Sequence, residues 1–389
     1  MLHVLVLIMF TVTLGGWYQR TTLHLSEVYD LFALGRSQLD LAPETLKKLQ
    51  QRLSLVSVTR QADNLEYILA KTADNIVIRY YEDGLYVLEL VGKDIAATQT
   101  RLKKYLDQNF HPAISYIFSL GAPTPKELSN LKIDHPTVVL DPNPKEFLHH
   151  FSSKLYGEIY SQITSPDVSV YKTPRYIFVV SPKSYNATPL VEMQIFFREF
   201  KDQLERYLYL HRQIWDDISV IKEKRFIKGV EVEPIRGKLD AYQKTIGLIN
   251  NRIAQMSTYI NTRSSLARRL GLEEKLQTVF QYKFETLSNT HAYIKELWKM
   301  TSDYLNNAIQ VVVEVKNQSA ANSIQSLRLI TTVGVLSGII GYLSKDQFPT
   351  LTLIGFWYFV VLILVTWLIN QIISYVYRHL RYELKFGKS

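Results

Sequence analysis

The chain has 389 residues, carries a net charge of +9, contains no cysteine, and is 47% hydrophobic. The absence of cysteine excludes disulfides and thiolate chemistry. The length suits one large or two modest folded domains. The positive excess is spread along the chain and enriched near its C-terminal end, so an anionic lipid surface accounts for it and nucleic acid is not required.

Residues 2–14, LHVLVLIMFTVTL, read as a buried β-strand. No Lys or Arg precedes the apolar run, and GGWYQR after it is no small-x-small cleavage site, which argues against a signal peptide; a cleaved signal or a third membrane segment is the alternative to the strand. Residues 25–34 and 43–53 have helical periodicity, with Pro43 suited to a helix start. LEYILAKT, NIVIRYY and GLYVLELVG read as three strands with turns at Ala73-Asp74 and Asp83-Gly84. Residues 93–110 read as an amphipathic helix and AISYIFSLG as a further strand. Strands interleaved with helices predict an α/β layer domain over residues 1–185.

Within it, a Pro-rich connection leads to the strand TVVLD, a helix around residues 144–152, and the strands VSVYK and RYIFVVS; these extend the first sheet or form a second small lobe. Residues 189–224 turn helical, with Phe196, Phe200, Leu204, Tyr207, His211, Ile214 and Ile218 on one face. The stretch GVEVEPIRG reads as a breaker. A second helix then carries the seam Leu239, Tyr242, Ile246, Ile249, Ile253, Met256, Ile260, Arg263 and Ala267, ending at Gly271. Residues 186–270 are thus an antiparallel helical layer.

From Phe280 an alternating +4, +3 spacing runs through Phe284, Leu287, His291, Ile294, Trp298, Thr301, Leu305, Ala308, Val312 and Val315. It continues to Ser319, Asn322, Ser326, Leu329, Val333, Leu336 and Ile340. No Pro or Gly interrupts it before Gly334, so one helix face persists for about 60 residues, roughly 90 Å. Residues 272–328 are expected to form a stalk helix. Residues 329–344 and 351–377 are free of Lys, Arg, Asp and Glu and are expected to be two transmembrane helices joined by an outer loop, 345–350. Trp357, Tyr358, Tyr375 and Tyr377 suit interfacial belts. Lys316 and Arg328 before the hairpin and the basic tail 378–389 after it place both termini in the cytoplasm of an inner, plasma-membrane multi-pass protein.

GIIGYLSKDQFPTL, residues 338–351, together with a long stalk helix and a C-terminal hairpin, resembles the CorA family of membrane channels; Gly338, Ile339, Gly341 and Pro349 fall on matching positions. Where that family has Gly-Met-Asn, this chain has Gly341, Tyr342 and Leu343. Leu343 offers no side-chain oxygen to a hydrated Mg²⁺, so the resemblance implies a CorA-like funnel, a homopentamer with the first membrane helices around its pore, without standard magnesium selectivity. Divergent relatives lacking this motif accompany type III CRISPR systems and answer nucleotide second messengers such as a SAM-AMP conjugate; an anti-phage effector channel is the alternative so implied. A non-conducting, membrane-tethered binding or scaffold protein is the alternative outside the channels.

On that reading Ser319, Asn322, Ser326, Leu329, Val333, Leu336 and Ile340 line the pore, with Asn322 and Ser326 a polar vestibule and Leu329, Val333 and Leu336 a hydrophobic gate. The packing of helices alone is the competing explanation of the stripe. Gating would come from the α/β domain, with a nucleotide or a divalent cation as candidate ligand. Lys172, Arg175 and Lys183 are candidates for the ligand site, Asp216 and Asp217 for an intersubunit divalent site, and Lys222, Lys224, Arg225 and Lys228 for phosphate contacts. Each of these also suits an ordinary solvated surface. Enzymatic readings lack support: His149 and His150 are adjacent rather than at i, i+4, and no phosphate-binding, nucleophile-elbow or dinucleotide motif occurs.

Overall fold

A computed structural model describes residues 9–19, 23–121, 135–144, 147–343 and 353–384. The chain divides into two compact units, residues 1–210 with 249–296, and residues 211–248 with 297–389.

The first unit is built on a mixed sheet whose nine described strands run β2-β3-β4-β5-β1-β6-β9-β8-β7. These are β1 (Phe10–Trp17), β2 (Leu55–Ala62), β3 (Glu66–Thr72), β4 (Val77–Tyr81), β5 (Leu85–Gly92), β6 (Thr137–Asp141), β7 (Ser161–Thr164), β8 (Ser169–Lys172) and β9 (Tyr176–Val180). Pairing is antiparallel throughout except between β6 and β9. The strand expected at residues 2–14 corresponds to β1, in the middle of the sheet, and the first seven residues of that stretch, 2–8, lie outside the described ones. The strands after TVVLD extend this one sheet and form no second lobe.

Alternation along β1 divides the unit into layers. Val12 belongs to the core under α1 (Leu25–Leu34), α2 (Pro43–Leu53), α3 (Ile95–Tyr105) and α4 (His111–Gly121). Trp17, of opposite parity, stacks on Phe200 at 5.3 Å and meets Phe196 edge-on at 6.2 Å. Both phenylalanines lie on α7 (Thr188–Glu223), so helices cover both faces of the sheet. Gly84 closes the β4–β5 hairpin at φ +89, where a Cβ would stand 1.9 Å from the Tyr18 carbonyl oxygen.

The segment AISYIFSLG, expected as a strand, is α4. Ala113, Ile114, Ile117 and Phe118 are buried while Ser115 and Ser119 are exposed, which is a helical spacing. Its backbone continues from α3 through a π turn, Leu106–Phe110. The stretch GVEVEPIRG does not break the chain either. It opens α8 (Gly229–Arg269), with Pro234 inside the helix, near enough to its start that the missing N–H removes a single helical bond. The short helix α5 (Phe147–His150) falls in the region expected to be helical, and a second short helix, α6 (Ser153–Tyr156), lies just beyond it. α8 gives way to Gly271 at φ +63, and a π turn, Leu276–Phe280, ends at Gln281, also left-handed at φ +61. The long helix α9 therefore starts at Phe284 rather than at residue 272, and it runs to Leu343.

The second unit holds residues 211–223 of α7, 229–248 of α8, 297–343 of α9, and α10 (Leu353–His379). Trp215 stacks on Tyr304 at 4.6 Å and His211 meets Trp298 at 6.0 Å, so α7 and α9 run parallel. Gln243 donates to Asn306, and Glu233 pairs with Lys316, which sets α8 antiparallel to α9. The expected seam of α9 is buried here at Trp298, Thr301, Leu305, Ala308, Val312 and Val315. Residues 381–383, expected within a basic tail, form β11 (Arg381–Glu383), which pairs antiparallel with β10 (Phe226–Lys228).

The expectation of two transmembrane helices is not supported: among the described residues, no helix is long and apolar enough to cross a membrane. The uncharged end of α9, from Leu329 to Leu343, is about 22 Å long at 1.5 Å per residue, short of a hydrocarbon layer of about 30 Å. α10 carries Thr366, Asn370, Gln371 and His379 among its apolar residues. The multi-pass inner-membrane localisation, the cytoplasmic orientation of both termini and the membrane ion-channel assignment depended on those two spans and fall with them. The outer loop, 345–350, and all of the GIIGYLSKDQFPTL stretch beyond Leu343 lie outside the described residues.

Candidate functional site

Two constellations stand out, one in each unit. In the first unit, charged side chains are buried between the sheet and its second helical layer. Arg263 of α8 is 1% exposed and donates from Nε and Nη2 to the two carboxylate oxygens of Asp83 at 2.5 and 2.9 Å. Its guanidinium also lies over the rings of Tyr81, at 4.8 Å, and Phe196, at 5.4 Å. Burial works against the Arg263 charge, but the Asp83 carboxylate more than restores it and raises its pKa. Beside it, Arg79 of β4 donates from Nε to Glu192 of α7 at 2.7 Å and also pairs with Glu89 of β5. Burial pushes the Glu192 carboxyl up, against the pull of Arg79, Tyr81 and Arg263.

Sequence reasoning placed Arg263 on an apolar seam without drawing its consequence. A cation in such a row must find a buried anion, and Asp83 at the hairpin turn is that anion. Nothing here exposes a reactive group, so the cluster fastens the helices to the sheet.

His291, another polar member of the α9 seam, is 4% exposed, and its ring Nε2 meets the Ile253 carbonyl at 2.6 Å. Burial lowers its pKa, as it does for His111 and His211. All three are depressed from an ordinary value of 6.5, so the unfolded chain takes up protons first as pH falls below that value, and stability is lost. Thermal unfolding followed by circular dichroism at pH 7.0, 6.0 and 5.0 should show a midpoint that drops with pH. A midpoint that stays constant or rises contradicts the neutral assignment of these rings.

In the second unit the stripe of the lower α9 changes character after Val315. Ser319, Asn322 and Ser326 are half-buried, and the Ser326 hydroxyl lies 2.5 Å from the Tyr377 hydroxyl of α10. Ser326 thus faces the neighbouring helix of its own chain. Leu329 and Leu336 are 62% and 52% exposed. The side chains of Val333, Ile340, Tyr342 and Leu343 lie outside the described residues, while Gly338 and Gly341 continue the backbone of α9. Between α9 and α10, Leu327, Ile330, Thr331, Trp367, Asn370 and Ile373 line a mostly apolar groove of about 360 Å³. Trp367, Leu368 and Ile372 of α10 are more than half exposed.

The three cations proposed for a ligand do not form one site. Lys172 and Arg175 flank the β8–β9 turn, whereas Lys183 follows the far end of β9, some 16 Å away for a five-residue strand. Arg175 donates to the Leu155 carbonyl at 2.9 Å, and Lys172 sits 6.0 Å from the Phe280 ring centre with its pKa lowered by burial. Asp217 accepts from Tyr242 and pairs with Lys238 at 3.2 Å, so a helix contact already engages it. No group of three or more metal-ligating side chains occurs among the described residues.

Neither a protein-family model nor a curated protein sequence matches the chain. It has a weak likeness to a solved structure, the complete structure of the CorA magnesium transporter from Methanocaldococcus jannaschii. The identity is 13%, the alignment covers 64% of this chain and 92% of that one, and the TM-score is 0.20. A likeness of that size leaves the activity of this chain to its own residues.

Proposed function

We propose that the chain is a self-assembling scaffold: copies meet along the lower part of α9 and along α10, and each carries an α/β unit available for binding. The observation that carries this reading is the apolar run of α9 from Leu329 onward and of α10 as far as Tyr377, both free of Lys, Arg, Asp and Glu, where Leu329 and Leu336 are more than half exposed. Covering a leucine fully is worth about 1.5–3 kcal/mol, so several such side chains together supply a substantial driving force. Exposed apolar surface of this extent marks an interaction surface. A second copy is the fitting occupant because Leu329 and Leu336 keep the seven-residue spacing of the seam. A stripe of that period packs against the same stripe related by rotation.

The absence of native cysteine makes single-cysteine cross-linking clean. Leu329→Cys and Leu336→Cys should each give covalent dimers between copies under mild oxidation, while Tyr293→Cys, at another exposed position of α9, stays monomeric on a non-reducing gel. Failure of both stripe positions to cross-link above the Tyr293 background would remove the scaffold reading.

A further inference from the structure

The ribbon formed by β10 and β11 places two cations directly opposite each other. Lys228 pairs in register with Arg381, although 153 positions separate them in sequence. Like charges at directly opposed positions of an antiparallel pair destabilise the pairing. The other face of the ribbon explains why it forms at all: Ile227 and Tyr382, also in register, are 1% and 7% exposed. The charged face lines a recess of about 270 Å³ together with Arg225, Phe226 and Glu231.

Glu231 does not neutralise the pair. Its carboxylate accepts the Lys228 backbone N–H at 2.9 Å and lies 3.9 Å from Lys224, which holds it at the start of α8. Glu383 of β11 stands opposite Phe226 rather than opposite a cation. Among the described residues no carboxylate pairs with Arg225, Lys228 or Arg381, and the face keeps an excess of positive charge. Arginine and lysine converging from separate segments onto a small recess form an arrangement that receives a phosphoryl group through charge-assisted hydrogen bonds. Phe226, 53% exposed at the same recess, offers an apolar ring beside it.

From this juxtaposition we infer that the β10–β11 ribbon is a binding site for a phosphoryl-bearing ligand, held by Arg225, Lys228 and Arg381. The site is independent of the scaffold reading, since its readout is ligand affinity and not association of copies.

The test is isothermal titration of the full chain with inorganic pyrophosphate at low salt, alongside sodium chloride at matched ionic strength. Pyrophosphate should bind with measurable heat, and Lys228→Gln and Arg381→Gln should each weaken it about tenfold, one charge-assisted contact being lost. In oxyanion-free buffer the same variants should unfold at the wild-type temperature or above it, because removing one cation relieves the repulsion. That second readout guards against a variant that merely misfolds. A nucleoside diphosphate that binds several-fold tighter than pyrophosphate, with the gain lost in Phe226→Ala, assigns the ligand to nucleotides; equal affinity assigns it to inorganic phosphates. Pyrophosphate acting no differently from chloride, or binding the two charge variants as it binds wild type, overturns the inference.

Discussion

Replacing Arg263 with methionine should lower the stability of the α/β unit by about 3–5 kcal/mol, because Asp83, 3% exposed, would be left as a buried carboxylate without its cation. Removing a charge pair and breaking one are different perturbations. Adding Asp83→Asn to Arg263→Met should therefore recover a large part of the loss, while Asn keeps an oxygen for the Leu85 N–H that Asp83 now accepts at 3.1 Å. Trp17 is a local reporter, since its indole N–H donates to the Asp83 carbonyl at 2.7 Å. Urea unfolding followed by tryptophan emission and far-ultraviolet circular dichroism measures both variants. If Arg263→Met unfolds at the wild-type midpoint, the pair does not hold the helical layer to the sheet.

The second large effect is expected on association. Leu329→Asp combined with Leu336→Asp would bring unpaired carboxylates into the contact between copies. It should weaken assembly at least about a thousandfold, or about 4 kcal/mol. Tyr293→Asp, at a position 60% exposed, should leave association unchanged. Sedimentation velocity over a concentration series distinguishes the two. Equal association of wild type and the double variant would place the contact elsewhere.

Much of the first unit was legible because its local signals agree. Alternation identified β3, β4 and β5, and the turn residues Asp83 and Gly84 placed the hairpin between two of them. β2 and β7 escaped notice because they are the edge strands, where polar residues are tolerated and alternation weakens. Residues 113–121 misled for the opposite reason: a short apolar run fits either periodicity, and only its continuity with α3 decides for helix. The seam of α9 was legible as a period, but not as an arrangement. Trp298 through Val315 are buried within their own unit, and the half-buried Ser326 meets Tyr377 of the same chain, contacts that the period alone does not announce.

The apolar segments at residues 329–344 and 351–377 were read from their length and lack of charge as membrane spans, a reading the described helices do not support. The phosphoryl site was half legible. The basic run at residues 222–228 is visible in sequence, but its partner Arg381 arrives only when two three-residue strands pair across most of a helical unit, and no local pattern announces that. Arg263 was the clearest signal passed over, a single cation in an otherwise apolar row.

Native mass spectrometry of the unmodified chain across a low-micromolar concentration range tests the scaffold reading most directly. The account predicts one closed homo-oligomer as the dominant species, shifting to monomer in Leu329→Asp/Leu336→Asp. A wild-type chain that is monomeric at every concentration would contradict it.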